Sequence, residues 1–241
     1  MIRDEIVSLA GEICAGRLID EAVIGLGYTF VCLDNGACGL AYTLRDELER
    51  GCEAFGEAGN LPGRDLREVL SWIGAGSVIA SSVGLAAANA VLRPPAKAFS
   101  VDLFDSLNMQ AGDRVVTVGR FRPLEPALRK AGTELKVIER EDSPTLLSGC
   151  DVALISATSI INNTLESLLE LAFGAREVVL LGPSTPYAPA AFASTPVTLI
   201  AGSEVSEVER VRRIVSEGGG TQSMGKSLSK WVLRVGKPHG T

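Results

Sequence analysis

The chain has 241 residues, 46% of them hydrophobic, and 23 Lys and Arg against 29 Asp and Glu give it a net charge of -6. That length is enough to bury a sizeable core in one large or two small domains. The acidic balance, with no run of Lys or Arg, argues against a nucleic-acid surface and leaves a small molecule or another protein as partner.

The amino terminus predicts an amphipathic helix with Ile2, Ile6, Leu9 and Ile13 inward and Arg3, Asp4 and Glu12 outward. It lacks the apolar core of a signal peptide, so a cytoplasmic chain is expected. Residues 22–24 and 28–33 are strand-like, Asp34-Asn35-Gly36 signals a hairpin, and residues 38–44 return antiparallel. A tight turn at Asn35-Gly36 sets Leu33 opposite Cys38 and Cys32 opposite Gly39, which turns the two thiols to opposite faces and keeps them from sharing one ion. Cys14, Cys32, Cys38, Cys52 and Cys150 are odd in number and lack CxxC spacing, a pattern of reduced thiols rather than a disulfide framework. The sole histidine, His239, lies in a Gly/Pro/Lys tail where disorder is expected, so a histidine-based metal site has no support.

Residues 45–64 read as an irregular, mobile connection able to cover a site. Residues 69–92 carry no charge and are long enough to cross a bilayer. Ser71, Ser77, Ser81, Ser82 and Asn89 would be costly in lipid, however, and Gly74 and Gly76 break the run into two helices, with Ser77 a good N-cap for the second. Two packed core helices are therefore expected, with no membrane span. Arg93-Pro94-Pro95 ends the second helix, and the domain boundary is set there, giving 1–95 as a small α+β domain and 96–241 as a ligand-binding domain.

The second half alternates helix and strand. Residues 114–118, 135–139, 152–155, 178–181 and 197–200 are short apolar runs, with helices at 163–172 and 204–216, the last ending at Gly218-Gly219-Gly220. The expected fold class is α/β, with a Rossmann-like, mostly parallel five-stranded sheet covered by helices on both faces. Parallel strands present their carboxyl ends on one edge, so Gly119, Glu139, Thr158 and Ser184 should gather where open α/β sheets bind ligands.

Gly119 permits a tight strand-to-helix turn, but it is alone where a dinucleotide fingerprint has three glycines, and Pro123 and Pro126 remove donors from the following turn. Arg120 offers the positive charge an anionic ligand needs, while Arg122 reads equally as a solvated arginine. Glu139 lies about twenty residues beyond Gly119, the spacing at which an acidic residue reads ribose hydroxyls; an exposed glutamate would look the same. Thr158, Asn162 and Thr164 supply donors and acceptors in a loop between buried elements. Asn163 followed by Glu166 resembles a capping box, so Asn163 is both a cap and a ligand candidate. In Gly182-Pro183-Ser184-Thr185 the proline keeps the backbone extended, and the two hydroxyls project from the edge. Ser184 has neither a histidine base nor a GxSxG elbow, which argues against a serine hydrolase.

Taken together, IGLGYTFVCL, VGRFRPLEPAL, ISATSIINNTLESLLELA and LLGPSTPYAP resemble the family described as putative heavy-metal chelation domains, over nearly the whole chain. The resemblance implies an enolase-N-terminal-like domain before a Rossmann-like domain, with the working site in the cleft between them. Carried over, it marks Tyr28, Thr29, Gly119, Thr158, Asn162, Thr164, Gly182, Pro183 and Ser184. The family has glycine where this chain has Ala157 and Asn163.

The favoured function is a cytoplasmic protein binding a small anionic or metal-complexed metabolite between its domains. A transferase or dehydrogenase using an adenosine-containing cofactor, and a non-catalytic structural or regulatory subunit, stand as alternatives. No metal ligand set and no reaction type is selected by the motifs, and a homo-oligomer is compatible with each reading. Any tightly held transition metal is expected to need an organic co-ligand, since closed zinc or iron sites want convergent His and Cys.

Overall fold

The computed structural model describes residues 1–47, 55–139 and 142–236, so Cys52 and His239 lie outside the described residues. The chain opens with α1 (Ile2–Ile13), β1 (Ile19–Ile24), β2 (Tyr28–Leu33) and β3 (Cys38–Tyr42), then α2 (Leu66–Leu70) and α3 (Val78–Val91). In α1 the inner face is Ile2, Ile6 and Ala10, continuing to the buried Cys14. Ile13, expected inward, is exposed because the buried stripe passes through Cys14 instead.

β1, β2 and β3 form a three-stranded antiparallel sheet in that order. The hairpin between β2 and β3 corrects the expected register. Leu33 N donates to Ala37 O at 2.9 Å and Gly36 N to Leu33 O at 2.8 Å, so the loop holds Asp34, Asn35 and Gly36, with Gly36 at φ 78°. A three-residue loop ending in a left-handed glycine shifts the pairing by one residue, and a one-residue shift turns each side chain of a strand to the other face. Cys32 thus pairs with Cys38 rather than Gly39, and the two are joined by a disulfide, not held as separate thiols.

α2 and α3 replace the long uncharged run as expected, with the Ser77 hydroxyl accepting from Ala80 N at 3.2 Å to cap α3. Among the described residues no helix is long and apolar enough to cross a membrane. The described end of the connection before α2 has turns but no helix or strand, as expected, and its side chains pack it against α2. Leu61 is buried, Phe55 meets Trp72 edge-on, and Arg64 stacks over Trp72 while pairing with Glu57 and Glu68.

The second half contributes α4 (Leu103–Ser106), β4 (Arg114–Val118), α5 (Glu125–Lys130), β5 (Glu134–Ile138), β6 (Val152–Ser156), α6 (Thr158–Ile161), α7 (Leu165–Leu171), β7 (Glu177–Leu181), α8 (Pro189–Phe192), β8 (Leu199–Val205), α9 (Val208–Ser216), α10 (Thr221–Met224) and β9 (Leu228–Arg234). Its sheet runs β5-β4-β6-β7-β8-β9, the first five strands parallel and β9 antiparallel to β8. The sheet has six strands rather than the five expected. β9 is closed onto β7 by Arg234, whose guanidinium donates to both oxygens of the fully buried Glu177 at 3.1 and 3.2 Å.

The whole is a two-domain α/β arrangement with a continuous core. One apolar cluster joins α1, α3 and the first sheet to one face of the second, through Val116, Ala153, Ile155, Val178 and Leu180. Val115, Leu154, Val179 and Leu181 fill the other face. A third cluster seats Phe30 and Leu40 of the first sheet against Val211, Val215 and Met224 of α9 and α10.

Candidate functional site

In the second sheet the chain goes from β4 outward to β5 and then returns to the far side of β4 as β6. The strand order therefore reverses between β4 and β6, and in open α/β sheets the crevice outside the carboxyl ends of such a strand pair is where ligands bind. Gly119 follows β4 and Ser156 ends β6, and they face each other across that gap. Gly119 has φ 90°, and a Cβ built on it would lie 3.3 Å from the Ser156 Cβ. Only glycine satisfies both the turn and the approach.

Thr158 leans over the same crevice. Its hydroxyl donates to Ser156 Oγ at 2.9 Å, forming a two-hydroxyl ledge, half-buried, at the end of β6. On the β5 side, Glu139 follows its strand and accepts from Arg120 Nε at 2.8 Å, an exposed ion pair at the rim. On the other side Asn162 reaches the first domain, donating from Nδ2 to Glu47 Oε1 at 2.9 Å while its Oδ1 accepts from Thr164 at 2.8 Å. The four parallel strand ends bearing Glu139, Gly119, Ser156 and Gly182 thus lie side by side on one edge.

Other candidates have different work. Asn163 is not an N-cap; it sits at φ 57° between α6 and α7 and donates from Nδ2 to Gly74 O at 2.8 Å. Asparagine is among the few residues that tolerate the left-handed region, which accounts for this chain holding it where the family has glycine. Glu166, the expected capping partner, instead accepts from Ile2 N at 3.1 Å. Ser184 is buried and its Oγ accepts from Tyr42 N at 2.8 Å, stitching the second domain to β3. Thr185 is also buried, and its hydroxyl has no hydrogen-bond partner among the described residues. Pro183 O accepts from Asn89 Nδ2 at 3.5 Å.

Tyr28 and Thr29 face opposite ways, as neighbours on a strand must. Thr29 is fully buried and shares a hydrogen bond with the Thr43 hydroxyl at 2.9 Å. Tyr28 packs beside the α9 cluster, edge-on to Tyr42, and burial pushes its phenol up to about 12 against the lowering effect of a hydrogen bond with Thr221. Its hydroxyl reaches the second domain, but at α10 rather than at the β4–β6 crevice.

Ser156, the polar residue that closes a buried strand, stands at the sheet edge where the sequence places it beside Thr158 and Asn162; Glu47 was not legible and enters through the tertiary fold alone. Conversely, Gly220 to Ser227 has the spacing G-x-x-x-x-G-K-S of a phosphate loop. It runs from a helix into β9, the reverse of the strand-to-helix context such a loop needs, and its Ser227 is buried and donates to Glu207 at 2.7 Å. The segment is a structural turn.

Chemically, the crevice offers hydroxyls, an amide and one arginine, a set suited to holding a polar anion. No group of three or more His, Cys, Asp and Glu able to hold a metal ion occurs among the described residues. The nearby carboxylates of Glu139 and Glu47 are already engaged, so the donors do not fit a closed transition-metal site.

An uncharacterized protein of Methanocaldococcus jannaschii is 28% identical to this chain over 260 residues, covering 98% of each. A crystal structure of a protein of unknown function from Desulfitobacterium hafniense matches with TM-score 0.79 and 28% identity, covering 97% of both chains. One from Pyrococcus horikoshii, at 23% identity, shares the fold with TM-score 0.82 over 97% of this chain and 100% of that one. Two family models match, over residues 7–92 and 102–234, and the chain accordingly belongs to the family described as putative heavy-metal chelation.

Proposed function

We propose that this protein is a cytoplasmic binder of a small anionic or metal-complexed metabolite, held in the crevice between its domains, which divide at residues 95 and 96. The observation that carries the reading is the Gly119–Ser156 approach at the strand-order reversal, where a Cβ would have only 3.3 Å. With no side chain on Gly119 the backbone closes onto Ser156, and the Ser156 hydroxyl and the Arg120 guanidinium are the donors around that edge, with the Thr158 hydroxyl donating to Ser156 and orienting it. A metal would arrive as cargo, already coordinated by the metabolite.

An adenosine-containing cofactor is the second reading, favoured by Glu139, which ends the strand beside β4 where ribose hydroxyls are read. The Arg120 guanidinium that occupies this carboxylate weighs against it.

Native mass spectrometry of the purified chain with parallel elemental analysis tests both. An anionic or metal-bearing small molecule retained by the wild type and lost from Thr158→Val supports the first reading. A nucleotide retained instead, and lost on Glu139→Gln, replaces it with the second. A wild type that retains nothing, and whose melting is unmoved by panels of anions, metal chelates and nucleotides, refutes both.

A further inference from the structure

Cys32 and Cys38 are direct partners in the β2–β3 ladder, with Cα atoms 4.2 Å apart. Directly opposed residues of an antiparallel pair project to the same face, so the two sulfurs share one side of the sheet whatever their oxidation state. The pair lies at the turn end of the hairpin, 8% and 9% exposed. Tyr28 and Tyr42 stand four residue pairs further along the ladder, about 13 Å at 3.3 Å per residue. The cysteines pack in the apolar cluster with α9 and α10, which includes no residue of β4 or β6.

A reducing compartment favours the dithiol form. A dithiol reductant breaks the S–S bond, is itself oxidised to a disulfide, and leaves two Cys thiols held in register by backbone hydrogen bonds. An ion captured there would find two thiolate ligands, because no group of three or more His, Cys, Asp and Glu able to hold a metal occurs among the described residues. Zinc, which takes four ligands, is poorly served. Soft thiolates select Cu(I), which two sulfurs satisfy in a linear arrangement. Taking the zinc–thiolate length of about 2.3 Å as a guide, a linear ion needs sulfurs about 4.6 Å apart. Rotation of the side chains about their Cα–Cβ bonds supplies that separation from backbones 4.2 Å apart.

We propose that the reduced Cys32 and Cys38 pair is a two-coordinate site for a soft monovalent metal ion, Cu(I) in particular, and that oxidation to the disulfide closes it. Binding forms two Cu–S bonds and releases the two thiol protons, with no change in the oxidation state of copper. The other described thiols do not compete. Cys14 is 1% and Cys150 4% exposed, they lie in different parts of the chain, and burial keeps Cys150 protonated by pushing it up to about 11.

The test uses the full chain, reduced with a water-soluble phosphine, desalted without oxygen and titrated with Cu(I) carried by a chromophoric chelator. The reduced wild type should withdraw one equivalent, and the same chain reoxidised should withdraw none. Cys32→Ser and Cys38→Ser should each weaken capture at least about a hundredfold, more than loss of an outer-shell partner does. Should a serine variant not fold, the reduced and oxidised wild type give the same contrast in an unaltered chain. A reduced wild type that withdraws no copper, or folded serine variants that keep the full equivalent, would overturn the proposal.

Discussion

The hydroxyl of Ser184 accepts a hydrogen bond from the backbone N–H of Tyr42 at 2.8 Å, across the seam between the two sheets. Ser82 of α3, in the same domain as Tyr42, holds the other side of this peptide by donating to Tyr42 O at 2.9 Å. Ser184→Ala leaves the Tyr42 N–H without its partner beside a buried site, a loss of about 1–3 kcal/mol. Urea unfolding of the ligand-free protein should show this; an unchanged midpoint would mean that water replaces the hydroxyl.

Gly74 and Asn163 form a testable pair. A Cβ on Gly74, whose φ is 67°, would lie 2.3 Å from Asn163 Oδ1. Gly74→Ala should therefore destabilise through both backbone strain, about 1–2 kcal/mol, and collision. Asn163→Gly removes the obstructing oxygen while keeping a residue that accepts φ 57°. In a double-mutant cycle by thermal unfolding, Gly74→Ala should cost less on the Asn163→Gly background than alone. Strict additivity would contradict the contact.

Glu177 is fully buried, and Arg234 holds both its carboxylate oxygens. Arg234→Met strands that charge in the core and should cost about 3–5 kcal/mol. Adding Glu177→Gln should recover part of the loss, as read by the midpoint of chemical denaturation. A single variant as stable as the wild type would show that β9 is not secured in this way.

Tyr28 gives an alkaline signature. Its folded-state pKa, raised to about 12 chiefly by burial, exceeds the ordinary value of 10.0. The unfolded chain loses this proton first, so stability is full below about pH 10 and declines as pH rises toward 12. Tyr28→Phe should flatten that decline relative to the wild type when melting is followed between these pH values. Parallel declines in the two proteins would refute the assignment.

The inner parallel strands were legible because β6, β7 and the first half of β8 are short apolar runs buried on both faces, whereas the edge strand β5 alternates the exposed Glu134 and Lys136 with apolar residues. β9 was missed although Leu228, Trp231 and Val232 are buried, because its alternation is broken by Lys230 and Arg234 and its partner is the distant β8. The Cys32 register failed on a single residue of loop length, because sequence signals the turn but does not count its residues. In the site, Gly119, Glu139 and Thr158 were readable from their place at strand ends. Ser184 and Asn163 looked alike in sequence to ligand-binding groups, yet Ser184 Oγ accepts from Tyr42 N and Asn163 Nδ2 donates to Gly74 O, partners that lie far away along the chain.

The apolar cluster that runs without interruption from Ile6 of α1 to Ile200 of β8 bears on how a guest molecule enters. Swinging the two halves apart would wet that shared interior, so a clamshell motion is energetically disfavoured, and the crevice should exist before anything occupies it. Association is then expected to follow a single concentration-dependent phase, with no slow isomerisation after the encounter, and melting of the two sheets should coincide in one transition.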